Sequence, residues 1–334
     1  MLSLNPDLVD KVGHFWNYES KLAPIIGGHD CNYRVAANSR LAGDMVEEAL
    51  TDGTVRIDGI TVDPCLDINS WTLANRIGQR PDSFEDVQAD VATEFSRAID
   101  RARAACDGEV VVYMYTGSFE HLDILYQISR DRPDIRIVVN FFWLKTSSIW
   151  SPRFASNYGW LLDVLQNDPR IFATAMTKHQ QRELEARTSY HVPVAQHPSP
   201  LISDAQALRI ISEPVRERTD QFRIFFPSAD RVEKGSELLY ETARHLASMF
   251  RGENCRIAFR TNPLDEEASD EERSALGEYR VLSGHIDEQN FVEILQMADV
   301  IVLPYLPPDF ADRTSGLLID SLYAGTPVVT LGGT

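Results

Sequence analysis

The segment DRTSGLLIDSLYAGTPVV, near the carboxyl end of the chain, has the residue types of an anion-binding helix start. Ser315 is a good N-cap, Gly316 opens the predicted helix, and the glycine of AGTP ends it. The free N–H groups of Ser315, Gly316 and Leu317, together with the positive helix end, would attract an anion. Asp320 lies one turn further along the same face, so a diphosphate here would place an attached ribose near this carboxylate. The segment alone leaves open a capped core helix with a solvated aspartate.

Lys234 is the second residue that points to an anion. It belongs to EKG, at the start of a predicted helix that follows the strand FRIFF. A lysine beside a helix N-terminus is electrostatically unfavourable unless an anion is bound there. Arg231 is the nearest arginine and could reach the same anion, although it could equally be a surface loop residue.

Short apolar runs alternate with longer amphipathic stretches along most of the chain, which predicts strands and helices in turn. Because the strand runs are almost wholly apolar, they are typical of a parallel sheet covered on both faces. The pattern predicts a doubly wound α/β architecture. The predicted strands are Val110–Tyr115, Ile135–Phe142, Phe222–Phe226, Arg256–Phe259, Val300–Leu303 and Pro327–Leu331. The predicted helices are Phe84–Ala105, Gln180–Arg187, Gly235–Phe250, Phe291–Met297 and Gly316–Ala324.

The organisation of the chain indicates two domains, since 334 residues exceed what one hydrophobic core usually serves. The run VPVAQHPSP cannot form a regular helix or a central strand. We therefore predict an N-terminal domain of residues 1–205 and a C-terminal domain of residues 206–334. The region Thr51–Ser83 is the hardest to interpret, although Asp52-Gly53 and Asp58-Gly59 predict a hairpin there.

Composition excludes several classes of protein. With 32 Lys and Arg against 50 Asp and Glu, the formal net charge is −18, which argues against a broad nucleic-acid surface. The start of the chain lacks the apolar segment of a signal peptide, and no apolar run is long enough to span a bilayer. We expect a soluble cytoplasmic protein. Its four cysteines are too scattered for a disulfide framework or a zinc site: Cys31, Cys65, Cys106 and Cys255.

The C-terminal segments FRIFFPSADRVEKGSELLYETARHL, YRVLSGHIDEQNFVEILQMADVIVLPY and DFADRTSGLLIDSLYAGTPVVTLGG resemble the donor-binding domain of a GT-B glycosyltransferase of the retaining family 4 group. The resemblance implies two Rossmann-like domains that face a cleft, a nucleotide-sugar donor on the C-terminal domain and an acceptor on the N-terminal one. It implies no catalytic metal and no cofactor besides the donor. The chain ends before the last helix and crossing segment of this family, so we expect a shortened C-terminal domain.

The resemblance also implies roles for single residues. The family's acidic pair, separated by seven residues, matches Asp312 and Asp320, with aspartate where glutamate is usual. Asp312 would bind the hydroxyls of the transferred sugar and Asp320 the ribose. Lys234 would neutralise the diphosphate as the leaving group departs. The family's arginine is absent, because Ala229 and Ser228 occupy the matching positions.

Further donor contacts are implied on both halves. His285 and Ile286 would border the nucleobase. The opening segment GHFWNYESKLAPIIGG matches the family more loosely, with Gly13 letting the backbone approach the donor and His14 next to it. No residue matches the family's acceptor-positioning pattern well, and His121 and Asp123 are weak candidates.

The sequence therefore predicts a retaining, metal-independent glycosyltransferase. It would transfer a sugar from a UDP- or GDP-linked donor to a hydroxyl of a glycan or a lipid-linked acceptor, which leaves peripheral contact with a membrane open. Another GT-B enzyme, such as an epimerase or a phosphorylase, is an alternative. So is a non-catalytic GT-B module that binds a nucleotide sugar or a partner protein, which the missing arginine and the two aspartates would suit.

Overall fold

The structure, a computed structural model, describes residues 1–10, 14–70, 73, 84–142, 163–165, 167–187, 190–195, 201–212, 221–227, 234–250, 254–260, 279–282, 286, 288–306, 310 and 314–331. The chain divides into two compact units. Unit 1 comprises Met1–Pro198 and Asp312–Thr314, and unit 2 comprises Ser199–Ala311 and Ser315–Thr334. Ile202 lies in the core of unit 2, so the segment before the predicted boundary at residue 205 packs with the second unit.

Unit 1 is built on one large sheet. Its described strands are β1 (Leu2–Asn5), β2 (Arg34–Asn38), β3 (Glu48–Ala49), β4 (Val55–Ile57), β5 (Ile60–Leu66), β6 (Val110–Gly117), β7 (Ile135–Phe141) and β8 (Ile171–Ala175). The strand order is β3-β4-β5-β2-β1-β6-β7-β8. All neighbours from β5 to β8 in this order pair in parallel, whereas β3, β4 and β5 pair antiparallel. The parallel part has the strand order of a Rossmann-like sheet.

Helices cover both faces of this sheet. The described helices of unit 1 are α1 (His14–Gly27), α2 (Phe84–Ala104), α3 (Phe119–Arg130) and α4 (Lys178–Arg187), with a 3₁₀ turn at Gly43–Met45. Side chains alternate along the strands, so Val112 and Met114 pack with α2 and α3 while Tyr113 and Tyr115 lie on the opposite face. The near-continuous apolar strands are thus explained by burial on both faces.

The predicted hairpin is confirmed. Asp58 and Gly59 join β4 to β5, and both have a positive φ, 48° and 77°. Two positive φ values in a two-residue loop are the geometry of a type I′ turn, which matches the twist of the paired strands. The Asp58 carboxylate also accepts a hydrogen bond from the Trp16 indole N–H at 2.9 Å, which ties the hairpin to α1.

Unit 2 contains a smaller parallel sheet. Its described strands are β9 (Phe222–Phe226), β10 (Cys255–Phe259), β11 (Tyr279–Val281), β12 (Val300–Leu303) and β13 (Val328–Thr330), in the order β11-β10-β9-β12-β13. Its described helices are α5 (Asp204–Ser212), α6 (Ser236–Met249), α7 (Glu288–Met297) and α8 (Gly316–Tyr323). α6 covers one face and α5, α7 and α8 the other. The predicted strands and helices are all present, with ends that differ by at most three residues.

Candidate functional site

The strand order of unit 2 reverses between β9 and β12. From β9 the chain continues outward to β10 and β11, whereas β12 and β13 lie on the other side. In open parallel sheets, ligands bind outside the carboxyl ends of the strands at such a switch point. The turn that carries Lys234 follows β9, and the segment that leads to Ser315 follows β12. The topology therefore brings two sequence-predicted candidates to one edge of the sheet.

Gly235 lies directly against the end of β12. Its φ is +74°, and a Cβ at this position would lie 2.8 Å from the carbonyl carbon of Pro304 and closer still to its oxygen. Only glycine fits this position, because the conformation is left-handed and the two backbones are in contact. Gly235 is the N-cap of α6, and the half-buried Lys234 precedes it. The lysine is thus held beside the carboxyl end of β12.

The residue after Pro304 connects the same place to α8. The Ser315 hydroxyl donates to the Tyr305 hydroxyl at 3.0 Å, and both residues are buried. The Tyr305 ring stacks on Phe310, with ring centroids 3.9 Å apart. These contacts fix the start of α8 at the end of β12. Since Gly235 and Tyr305 flank the same strand end, the Lys234 turn and the α8 N-terminus are parts of one site.

The start of α8 has the geometry that the sequence predicts. The Ser315 side chain accepts a hydrogen bond from the Leu318 N–H at 3.2 Å, and its carbonyl accepts from the Ile319 N–H. Within the part of the chain that the structure describes, the N–H groups of Gly316 and Leu317 donate to no partner. Two free donors at a capped helix end, at the sheet edge to which the Lys234 turn also leads, can bind an anionic group such as a phosphate.

Asp320 lies one turn along α8 and is only 2% exposed. Its Oδ1 accepts a hydrogen bond from the Leu201 N–H at 3.4 Å, and its backbone carbonyl accepts from the Ala324 N–H at 2.8 Å. Part of the segment before α5 therefore lies against the carboxylate that the sequence assigns to the ribose. Its ribose contact stays a prediction.

Of the other predicted site residues, two belong to the part of the chain that the structure describes and five do not. Ile286 is half-buried and packs against the core of unit 2. His14 is the first residue of α1 in unit 1. Gly13, Ser228, Arg231, His285 and Asp312 lie outside the described residues, so their roles stay predictions.

The weak candidates His121 and Asp123 lie on α3. His121 is buried, its Nδ1 is 3.0 Å from the Ser118 hydroxyl, and burial lowers its pKa to about 3. It is therefore neutral at physiological pH. Asp123 is also buried and accepts hydrogen bonds from the amides of Gln88 and Gln127.

Two residues of the site were missed by sequence reasoning. Nothing local predicts that Tyr305 positions Ser315, because the bond joins residues ten positions apart through the tertiary fold. Gly235 was predicted only as a helix start, although a glycine that follows a lysine in a strand-to-helix turn is a signal of close backbone approach.

Two general findings concern the described part of the chain. None of its helices is both long and apolar enough to cross a membrane. Among the same residues, there is no group of three or more His, Cys, Asp or Glu side chains that could hold a metal ion.

Comparisons with known proteins establish the fold. No protein-family model matches the sequence, and no curated protein matches it. A solved structure of trehalose-6-phosphate synthase matches 98% of this chain and 83% of its own, with a TM-score of 0.61 and 13% identity. The enzyme of the same activity from Burkholderia multivorans gives 0.61 at 10% identity, covering 99% of this chain and 83% of its own. Sucrose-phosphate synthase from Thermosynechococcus elongatus gives 0.58 at 14%, covering 98% of this chain and 80% of its own.

At such identities the likeness establishes the fold alone. It extends over nearly the whole chain, so it includes both units, and it confirms the predicted class of two Rossmann-like domains of the GT-B type. The assignment to family 4 in particular is not confirmed, because the similar structures are sugar-phosphate synthases.

Proposed function

We propose that the protein is a glycosyltransferase that moves a sugar from a nucleoside-diphosphate sugar to a hydroxyl group, and that unit 2 binds the donor. The observation that carries this proposal is the switch point between β9 and β12, where Gly235 contacts Pro304 and Tyr305 binds Ser315. This arrangement presents a lysine and free helix N–H groups together, which suits a diphosphate.

In the proposed reaction, charge builds on the diphosphate as the bond to the sugar breaks. Lys234 and the N–H groups of Gly316 and Leu317 would stabilise that charge, because fixed donors in a site need no reorganisation at the transition state. Asp320 would accept hydrogen bonds from the ribose, and Asp312 from the transferred sugar. Arg231 and Ser228 would add contacts to the phosphates, and His285 and Ile286 would border the base. Since these groups already neutralise the phosphates, we propose that the reaction needs no metal and no separate cofactor.

The similar structures support this class of reaction. They are named as trehalose-6-phosphate and sucrose-phosphate synthases, and one of them contains UDP-2-fluoro glucose. Another is described in terms of glycosyl transfer with retention. We propose by extension a UDP- or GDP-linked donor, retention of configuration and an acceptor hydroxyl on a glycan or a lipid-linked sugar.

The experiment that tests the proposal has two steps. Calorimetric titration of the full chain with UDP, GDP, UDP-glucose and GDP-mannose measures donor binding. Incubation with the donor that binds best, without acceptor, then measures release of the free sugar. A transferase leaks slow hydrolysis, whereas a non-catalytic module leaves the bound donor intact. Absence of binding to all four ligands would refute the donor site itself.

A further inference from the structure

Arg260 lies at the carboxyl edge of the unit 2 sheet, and the proposed donor site assigns it no role. It is the residue that follows β10, and its N–H donates to the Phe226 carbonyl at 3.0 Å. Phe226 ends β9, the strand from which the chain continues to Lys234. The backbone of Arg260 is therefore fixed beside the strand end that leads to the Lys234 turn.

The side chain of Arg260 lies on the same face of the sheet as α8. Ala258, two residues earlier on β10, packs into the hydrophobic core that also includes Leu317 and Leu318 of α8. The Arg260 guanidinium lies over the ring of Phe291 in α7, with Cζ 5.3 Å from the ring centroid, and this ring belongs to the same core. Arg260 and the free N–H groups at the start of α8 thus share one edge and one face of the sheet.

Two strand spacings separate Arg260 from the end of β12. The strand order is β10-β9-β12, and neighbouring strands are about 4.8 Å apart, so the two strand ends are about 10 Å apart. Lys234 follows the strand between them. An extended arginine side chain and a diphosphate at the start of α8 together bridge such a separation. The topology thus brings two cationic residues and the helix N–H groups to one part of the edge.

The contact with Phe291 orients the guanidinium and leaves its N–H groups available. Phe291 is itself buried, and its ring meets the Phe225 ring edge-on at 6.3 Å between centroids, so the ring under the cation is held in place. A guanidinium over an aromatic ring keeps donors that match phosphate oxygens in pairs. Among the described residues, none forms an ion pair with Arg260.

The electrostatic environment of Arg260 favours an anionic ligand. Arg260 is half-buried, and burial lowers its pKa below its ordinary value. A neighbouring carboxylate has the opposite effect, as the bond to Asp168 shows by raising the pKa of Arg170. Removing a cation from water costs free energy that a nearby anion offsets. A bound phosphate would provide that anion.

The charge of a nucleoside-diphosphate donor calls for a second cation. Each of its two phosphates carries a negative charge, whereas a helix N-terminus contributes only about half a positive charge. Lys234 and the start of α8 therefore leave part of the diphosphate charge unbalanced. Arg231, the second cation that the sequence suggests, lies outside the described residues. Arg260 is a described arginine at the same edge of the sheet.

We propose that Arg260 is the second cation of the donor site and that its guanidinium binds the diphosphate together with Lys234 and the N–H groups of α8. The inference rests on the proposed function, because it names a further residue of the same site. It also adds β10 to the strands that supply the site, although the sequence assigns no site residue to that strand.

Three variants of the full chain test the proposal. Arg260→Gln removes the charge but keeps a planar group that can pack on Phe291. Arg260→Lys keeps the charge but loses the paired donors. Arg256→Gln is the control, because Arg256 is an exposed arginine on the same strand, near its other end. Calorimetry measures the affinity for UDP, GDP, inorganic pyrophosphate and glucose 6-phosphate, and saturation-transfer NMR measures binding of uridine and guanosine.

We expect Arg260→Gln to weaken the binding of pyrophosphate, and of the nucleotide that the parent binds, by about tenfold or more, because a hydrogen bond between charged groups is lost. Arg260→Lys should lose less affinity. The nucleoside without phosphates should bind both variants as it binds the parent, a result that damage to the fold would not give. Arg256→Gln should match the parent with every ligand.

Two outcomes would overturn the inference and leave the proposed function intact. One is unchanged nucleotide affinity in Arg260→Gln, including the case in which only glucose 6-phosphate binds more weakly. The other is an equal loss of nucleoside and nucleotide affinity. If the parent binds pyrophosphate but neither nucleotide, the proposed function fails, and the pyrophosphate affinity of Arg260→Gln decides the role of Arg260. Binding of neither nucleotide nor pyrophosphate to the parent would refute both.

Discussion

Gly235 and Pro304 are in backbone contact, although they lie on different sides of the switch point in unit 2. The φ of Gly235 is +74°, and the Pro304 carbonyl occupies the space in which a Cβ would stand. Gly235, at the start of α6, is therefore held against the end of β12. This contact places Lys234 at the strand end that Tyr305 joins to Ser315, so it is the structural basis of the proposed donor site.

The first prediction concerns this contact. Gly235→Ala must either displace Pro304 or move the turn, so we expect it to destabilise unit 2 by several kcal/mol and to weaken nucleotide binding. Gly53→Ala is the matched control, since its φ is +83° and nothing lies within 4 Å of its Cβ position. That variant should cost only about 1–2 kcal/mol, the strain of the left-handed conformation. Chemical denaturation measures the free energy of unfolding of both variants. Equal losses of stability in the two would show that the contact with Pro304 is unimportant.

The second prediction concerns Lys234. Removing a cation that binds a diphosphate should cost about 1.5–3 kcal/mol, or roughly ten- to more than a hundredfold in affinity for UDP or GDP. Lys234→Ala tests this by calorimetry. Arg256→Ala is the control, because it removes one exposed cation from β10 of the same unit. If both variants bind the nucleotide as tightly as the parent, Lys234 does not contact the phosphates.

Strands with a continuous apolar pattern were predictable from the sequence. Phe222–Phe226 and Val300–Leu303 have the predicted bounds, because each is a short apolar run between turn residues. β1 and β2 were not predicted. In β1, the buried polar residues Ser3 and Asn5 donate to the buried Glu19 of α1, and such a network has no local signature.

In the candidate site too, features with a local sequence signal were predictable, whereas features that depend on the tertiary fold were not. The Ser315 cap follows from residue types alone, since serine before a helix is a local signal, and the structure confirms it. The contact of Leu201 with Asp320 spans more than a hundred positions and depends on how the segment before α5 packs on α8. Long-range contacts of this kind decide the accessibility of a side chain, which the sequence pattern does not contain.

The third prediction concerns metal ions. Because a lysine and helix N–H groups suit the phosphates, we expect UDP or GDP affinity and sugar transfer to be unchanged in excess EDTA. Calorimetry and an endpoint assay of donor consumption, each with and without EDTA, measure this. Loss of activity that manganese restores would place the protein among metal-dependent transferases and would refute the proposed role of Lys234.

The fourth prediction concerns Glu19, which accepts hydrogen bonds from Ser3, Asn5 and Tyr33 inside unit 1. Burial raises the pKa of this carboxyl group above its ordinary value of 4.5. The folded state therefore binds the proton more tightly than the unfolded state does. Its stabilising contribution is complete below pH 4.5 and is lost as the pH rises through the folded-state pKa.

Glu19→Gln removes that titration. The free energy of unfolding of the parent, minus that of the variant, should fall as the pH is raised from 4.5 and then level off. All five tryptophans belong to the sequence range Met1–Pro198, so tryptophan fluorescence during denaturation reports on unit 1, which contains Glu19. Glu109→Gln is the control, since this exposed residue pairs with Arg136 at the surface. A difference that is constant with pH would show that Glu19 does not titrate differently in the two states.

The last prediction separates Asp320 from Asp312. If Asp320 binds the ribose, Asp320→Asn should weaken UDP and UDP-glucose by roughly tenfold or more but leave inorganic pyrophosphate unaffected. The asparagine can still accept the Leu201 N–H, so the segment before α5 is retained. Asp312→Asn should spare UDP and weaken only UDP-glucose, because only the transferred sugar reaches it. Calorimetry of both variants with all three ligands decides the matter. Equal loss of UDP and pyrophosphate affinity in Asp320→Asn would mean that this carboxylate acts through the packing of Leu201. Loss of UDP affinity in Asp312→Asn would refute the proposed difference in role between the two aspartates.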